Sequence, residues 1–183
     1  MRPLALAVLL FVASACGAAS PSAPGDGSVA PDDAAEASAP LVPTGTVQWS
    51  TGCAGGGCAE VATSIATGAP MRHLTCMLRG SSLTVEGFVG AAGSLFDEST
   101  AALRFVGTVA AGSPASGGTV EARGSGWGAQ ATIPGPCVVR ATTVDPSQRG
   151  AAGTITCTDL PDDGAPPNRR TVTGSFSLAG CLP

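Results

Sequence analysis

Short runs in which apolar residues recur at every second position dominate the sequence from Gly45 onward, and this period is that of half-buried β-strands. Val47 and Trp49 share one face of the first run, and Leu83 and Val85 share one face of a later run. The runs are separated by turn compositions such as TGAP, RGSS and DPSQRG, and none has the caps and 3.6-residue period of a helix. The sequence therefore predicts an all-β fold, an antiparallel β-sandwich or partly closed barrel with no substantial helix after the N-terminal region.

Composition favours the same fold class. Of the 183 residues 26 are glycine, one is histidine, and neither lysine nor tyrosine occurs. Alanine, glycine, serine, threonine and valine dominate instead, which favours small-residue strands and tight turns over charged amphipathic helices. The length suffices for one globular domain with a substantial core.

Four short motifs of the first half return in the same order in the second half, which predicts an internal duplication. The matches are GTVQ (45–48) with GTVE (118–121), CAEVATSI (58–65) with CVVRATTV (137–144), LTC (74–76) with ITC (155–157), and TVEGF (84–88) with TVTGSF (171–176). We interpret them as two related repeats of four strands, at about 45–112 and 118–181. A further strand around Ala102–Ala110 belongs to the first repeat.

The duplication also suggests how cysteines pair. Six cysteines follow Cys16, an even set that can pair fully in an oxidising compartment. The motif matches align Cys58 with Cys137 and Cys76 with Cys157. We therefore expect the bridges Cys58–Cys76 and Cys137–Cys157, each joining the two arms of a hairpin, where facing residues come close enough for a disulfide.

Cys53 and Cys181 then remain for the third bridge, Cys53–Cys181. The alternative is a local Cys53–Cys58 bridge across AGGG, which would force the other four cysteines to recombine. A metal or redox role for Cys53 and Cys58 is disfavoured, because it needs free thiolates and usually a tighter spacing or a histidine partner. A phosphate site at residues 55–57 would need a following helix and a lysine, and the chain has no lysine.

The N-terminus has the outline of a secretory signal, with Arg2 before an apolar run from Leu4 to Val12 that is too short to span a membrane. The sequence VASAC that follows resembles the lipobox of bacterial lipoproteins, in which the cysteine after a small-residue trio receives lipid and becomes the new N-terminus. The resemblance implies a signal peptide over 1–15 and lipidation, including palmitate, of Cys16. It departs from the commonest pattern at Ala13, and ASA equally suits ordinary signal peptidase, so a freely secreted, non-lipidated domain is the alternative.

Residues 16–44 form a low-complexity Ala/Ser/Pro/Gly segment with acidic residues and no base, and we expect a disordered tether there. A single β domain then occupies 45–183. Gly17 stands where a retention signal for the inner membrane would place aspartate, so the expected location is the outer membrane or the cell surface.

The β domain is close to neutral, with eight arginines and nine acidic residues from Gly45 onward. It shows no basic stripe interleaved with aromatics, so we expect no nucleic-acid partner. Arg169 and Arg170 are interpreted as a solvated loop pair.

Few residues suggest chemistry. His73 is the single imidazole, but no nucleophile or acid is placed beside it by the sequence. The aspartates of DLPDDG (Asp159, Asp162, Asp163) fit no regular calcium spacing and are typical of turns. We therefore predict no catalytic residue, no metal and no cofactor.

Trp127 is the best candidate for a contact with a partner, because its large amphipathic ring lies among glycines in GSGWGAQ. The competing interpretation is that its ring covers the end of the core. The predicted function is a non-catalytic lipoprotein, held to the membrane by its N-terminal lipid, that binds an unidentified envelope protein or glycan or has a structural role. The alternative is an envelope or secreted hydrolase that uses carboxylates in loops.

Overall fold

The structure is a computed structural model that describes residues 42–55, 58, 60–91, 99–163 and 168–183. The signal sequence, Cys16 and nearly all of the tether lie outside the described residues. The described residues form ten β-strands: β1 (Thr44–Cys53), β2 (Val61–Ala66), β3 (Arg72–Arg79), β4 (Ser82–Val89), β5 (Ala101–Thr108), β6 (Gly117–Gly124), β7 (Trp127–Ile133), β8 (Cys137–Asp145), β9 (Gly150–Pro161) and β10 (Arg169–Ala179). Within these ranges no helix is long and apolar enough to cross a bilayer.

The strands form two five-stranded antiparallel sheets, ordered β2-β1-β10-β9-β8 and β3-β4-β5-β6-β7. Their inward faces pack together around one core, which confirms the predicted all-β sandwich. Val47 and Trp49, predicted to share a face, are both buried in this core. Phe105 and Leu83 lie fully inside it, and burial of each such side chain contributes about 1.5 to 3 kcal/mol.

The two sheets have the same connectivity, displaced by five strands. Read from its other edge, the first sheet has the order β8-β9-β10-β1-β2. If the strands are counted cyclically, so that β1 follows β10, adding five to each number gives the order of the second sheet, β3-β4-β5-β6-β7. The halves β1–β5 and β6–β10 are therefore topologically equivalent. The first motif match joins the equivalent strands β1 and β6. The other three matches join β2 with β8, β3 with β9 and β4 with β10, each displaced by one strand from its topological equivalent.

Cys137–Cys157 is a bridge of the structure, as the sequence predicts. Its two residues are register partners on the adjacent strands β8 and β9, with Cα atoms 4.0 Å apart. The hairpin geometry assumed for this pair is therefore present.

The other two expected bridges, Cys58–Cys76 and Cys53–Cys181, are not formed. Cys53 bonds Cys58, and Cys76 bonds Cys181. The hairpin argument fails for Cys58 and Cys76 because β2 and β3 belong to different sheets.

Register explains why Cys53 cannot reach Cys181. Cys53 is the last residue of β1, whereas Cys181 follows the end of β10, and that end pairs with the start of β1. The ten residues of β1 hold these two ends about 30 Å apart at about 3.3 Å per residue. Cys181 instead lies beside β3, where Leu182 exchanges backbone hydrogen bonds with Cys76 and Leu78 at 2.9 Å.

Three of the four sheet edges receive further backbone partners. Leu182 covers the edge of β3, and on β8 the carbonyl of Val139 accepts from the N–H of Ala115 at 2.7 Å. On β7 the carbonyl of Gly128 accepts from the N–H of Asp163 at 2.8 Å. These bonds occupy donors and acceptors that an exposed edge would leave open.

Candidate functional site

A polar groove lies on the outward face of the β6–β7 hairpin. Glu121 and Arg123 of β6 and Gln130 of β7 alternate with buried residues, so their side chains point away from the core. The hairpin turns through Ser125 and Gly126, and Gly126 has a φ of 78°, which glycine adopts readily. The groove has a volume of about 590 Å³.

A ladder of alternating charge fixes the side chains on one wall of the groove. Glu86, Arg104 and Glu121 are direct cross-strand partners on β4, β5 and β6. Arg104 donates to Glu86 at 2.9 Å and lies 3.4 Å from Glu121, and Arg123 contacts Glu121 at 2.8 Å. Cross-strand pairs of opposite charge stabilise a sheet and restrict their own rotamers. Glu121 and Arg123 are therefore held in place before any ligand arrives.

Asp163 forms the opposite wall. Its backbone N–H bonds to Gly128 of β7, which brings its exposed side chain alongside the strand. A Cβ at position 128 would lie 3.9 Å from both Arg123 Cγ and Asp163 Oδ2, so Gly128 forms a low floor between a cation and an anion. The groove thus presents donors and acceptors within one short span.

The groove continues along β7 into a second depression. This depression has a volume of about 500 Å³ and shares Gln130 and Asp163 with the first. Thr132, Pro136 and Pro161 line its far end. We call the two together the β7 trough, and its length suits an extended ligand better than a compact one.

Trp127 lies at the hairpin end of the β7 trough, but it is not a freely open platform. It is in phase with the buried residues Ala129 and Ala131 and is half-buried at the end of the sandwich. The Arg170 guanidinium lies 4.9 Å from its ring centroid, a cation–π contact. On the neighbouring strand β6, position 124 accommodates only glycine beside the Trp127 ring, because a Cβ at Gly124 would lie 2.1 Å from Trp127 Nε1. Trp127 thus covers the end of the core and also lines the trough, and its contact with a partner stays a prediction.

Arg170 is not part of a solvated loop, as the sequence suggested. It lies in β10, its side chain is 17% exposed, and it contacts the fully buried Asp162 carboxylate at 2.8 Å. Its Nη1 also lies 3.5 Å from Cys53 Sγ and 3.5 Å from Cys58 Sγ. Arg169 is the solvated member of the pair, with a longer contact of 3.6 Å to the exposed Asp159.

His73 is remote from the trough. It lies on β3, the opposite edge of the sheet from β7, at about 19 Å if neighbouring strands are about 4.8 Å apart. Its ring stacks on Phe88 with centroids 4.6 Å apart. Its Nε2 is buried and has no hydrogen-bond partner among the described residues.

Within the described part of the chain, no cluster of three or more His, Cys, Asp or Glu side chains could hold a metal ion. The aspartates of DLPDDG diverge, since Asp162 is buried with Arg170 while Asp159 and Asp163 are exposed. No family model, no curated protein and no solved structure matches this chain.

Apart from Trp127 and Asp163, which was considered only as a calcium-loop or turn residue, the trough residues were not singled out in the sequence. A signal for them exists, because the polar positions of TVEAR and WGAQ alternate with small apolar residues and predict one polar face on each strand. The alternation does not predict the register of β5 against β6, which places Glu121 opposite Arg104.

Proposed function

We propose that this protein is an exported, lipid-anchored, non-catalytic binding protein whose β-sandwich holds an extended envelope glycan in the β7 trough. The observation that carries the proposal is the row of Arg123, Gly128 and Asp163, a fixed cation and an anion beside a floor without a side chain. A guanidinium, which donates hydrogen bonds, beside a carboxylate, which accepts them, suits a polyhydroxylated ligand. The ion pair with Glu121 limits the rotamer freedom that Arg123 would lose on binding.

The polarity of the trough favours a glycan over a protein partner. Stable protein interfaces centre on a buried apolar or aromatic core. Here the aromatic residue lies at one end, under Arg170, and the centre of the trough is polar. Exposed large apolar residues such as Val61, Met71 and Val138 lie on other strands and loops.

The export and anchoring part of the proposal rests on the signal sequence and VASAC, with support from the three disulfides, since disulfides persist in oxidising compartments. Intact mass of the protein recovered from the membrane fraction tests it. We expect acyl mass on Cys16 and its loss, with release from the membrane, in Cys16→Ala. Mature protein without acyl mass, recovered outside the membrane fraction, would refute lipidation and favour the freely secreted form.

Binding is tested with a panel of soluble peptidoglycan fragments and neutral hexose polymers. In a Trp49→Phe background the emission of Trp127 reports on the trough, because Trp49 is otherwise buried elsewhere in the core. We expect Arg123→Ala and Asp163→Ala to weaken binding at least tenfold, about 1.4 kcal/mol each. Arg140→Ala, an exposed arginine on β8 of the other sheet, is the matched control. Equal binding by all three variants would place the ligand elsewhere.

The hydrolase alternative keeps one favourable observation, which is that Glu121 and Asp163 line the same groove. It predicts release of reducing ends from the glycan panel, abolished in Glu121→Gln and Asp163→Asn. The binding proposal predicts no release at all. It is also supported by the contacts of Glu121, whose carboxylate is engaged by both Arg104 and Arg123.

A further inference from the structure

The three disulfides differ sharply in how solvent reaches them. Cys76, Cys181, Cys137 and Cys157 are between 0% and 2% exposed. Cys58 is exposed and Cys53 is half-buried. Thiol–disulfide exchange requires in-line approach of a thiolate to one sulfur, so access selects the bond that reacts. Among these bridges only Cys53–Cys58 offers a sulfur to an external thiol.

The same bridge has a cation beside it. Arg170 Nη1 lies 3.5 Å from each sulfur of the pair. The guanidinium is held in that position, because its Nε and Nη2 both lie 2.8 Å from Asp162 Oδ2 and its Cζ lies over the ring of Trp127. A neighbouring arginine stabilises a thiolate over a thiol, and a better leaving thiolate departs faster.

We propose that Cys53–Cys58 is a thiol–disulfide exchange site, reduced by an external dithiol while the other two bridges stay intact. The external thiolate attacks Cys58 Sγ, a mixed disulfide forms, and the electron pair of the broken S–S bond leaves on Cys53 Sγ beside Arg170. The second thiol of the reductant loses its proton and attacks its own mixed-disulfide sulfur. Cys58 departs as a thiolate and takes up a proton, so the bridge becomes a dithiol and the reductant a cyclic disulfide.

Reduction also changes the surroundings of the β7 trough. Arg170 is shared between the sulfurs, Asp162 and the ring of Trp127, which lines the trough. A thiolate at Cys53 gives the guanidinium a new anionic partner and weakens its contact with the ring. The exchange site therefore reports its redox state through Trp127, whether or not the trough holds a glycan.

The experiment uses the full chain with Cys16→Ala, which removes the seventh thiol. The folded protein is titrated with dithiothreitol, quenched by alkylation and mapped by peptide mass. We expect Cys53 and Cys58 to be alkylated at a dithiothreitol concentration at least tenfold below that needed for the other four cysteines. Simultaneous labelling of all six, or earlier labelling of a buried pair, would overturn the proposal.

Variants at Arg170 separate the role of its charge from simple access. We expect Arg170→Gln to slow the exchange about tenfold and Arg170→Lys to keep at least half of the original rate, because lysine retains the positive charge. Arg169→Gln, the solvated neighbour, is the matched control and should exchange at the original rate. Equal rates in all three variants would contradict the role of Arg170. The labelling order in the parent chain tests the site itself even if a variant folds poorly.

Discussion

Gly45 and Gly118 occupy equivalent positions in the two halves of the sandwich. Each has a φ of 141° and each lies in the first strand of its half, β1 or β6. At Gly45 a Cβ would lie 2.0 Å from the carbonyl oxygen of Ser177, and at Gly118 it would lie 2.2 Å from that of Val106. Each oxygen belongs to a strand paired antiparallel with that first strand, β10 beside β1 and β5 beside β6. The motif GTVQ/GTVE thus marks two equivalent close approaches of strand to strand.

Gly118→Ala should therefore destabilise the domain strongly. The alanine would combine an unfavourable backbone conformation with a clash against a backbone oxygen that cannot rotate away, and we expect a loss of about 2 to 4 kcal/mol in the free energy of unfolding. Gly117→Ala is the matched control, because its Cβ would lie 3.9 Å from the nearest carbonyl. Urea denaturation measures both, and similar midpoints for the two variants would contradict the close approach at Gly118.

Removing the Cys76–Cys181 bridge should cost more than removing Cys53–Cys58. The first spans 105 residues and the second 5, which in the chain-entropy model correspond to about 5 and about 2 kcal/mol. Double substitution to serine at 53 and 58, and to alanine at 76 and 181, tests the difference by denaturation. A larger loss from the short bridge would show that native-state contacts outweigh loop closure.

Arg170→Ala should destabilise far more than Arg169→Ala. Arg170 supplies the cation for a carboxylate, Asp162, whose side chain is 0% exposed, and breaking a buried pair of this kind costs about 3 kcal/mol or more. Arg169 is solvated, and the expected loss there is below about 0.5 kcal/mol. Thermal unfolding of the two neighbours decides the matter, and equal losses would show that Asp162 does not depend on Arg170.

Asp145 should titrate below the usual carboxylate range. Its pKa is lowered from 3.8 because its carboxylate accepts hydrogen bonds from the Ser147 hydroxyl and, next in effect, the Gln148 backbone N–H. A lowered folded-state pKa means that the β8–β9 turn gains stability above pH 3.8 and loses it as pH falls through the folded value. In Ser147→Ala the NMR titration midpoint of Asp145 should move up towards 3.8. An unchanged midpoint would assign the shift to another cause.

The fold class follows from the sequence because period-two alternation sorts residues such as Trp49 and Val47 to one face. The disulfide pairing could not be predicted in the same way, because the chain crosses from β2 in one sheet to β3 in the other and no local sequence pattern indicates that crossing. Only Cys137 and Cys157, on adjacent strands, obeyed the hairpin rule.

The candidate site was only partly visible in the sequence for a related reason. Arg170 is in phase with the buried residues Val172 and Phe176, which could have placed it inward despite its charge. Its partner Cys53 lies 117 positions away, and no spacing rule joins segments so far apart. Asp162 is only 8 positions away, but its burial depends on how the chain returns from β9 to β10. The Glu121–Arg104 pair likewise depends on the register of β5 against β6, which alternation alone leaves undetermined.

The covered edges of β3, β7 and β8 have a consequence for crowding. An uncovered strand is a template on which a second copy can add its own strand, and repeated addition gives fibres. On β2, the short remaining edge, the Arg72 side chain donates to the carbonyl of Ser64. We therefore expect copies packed densely on a surface or in a concentrated solution to collide without polymerising.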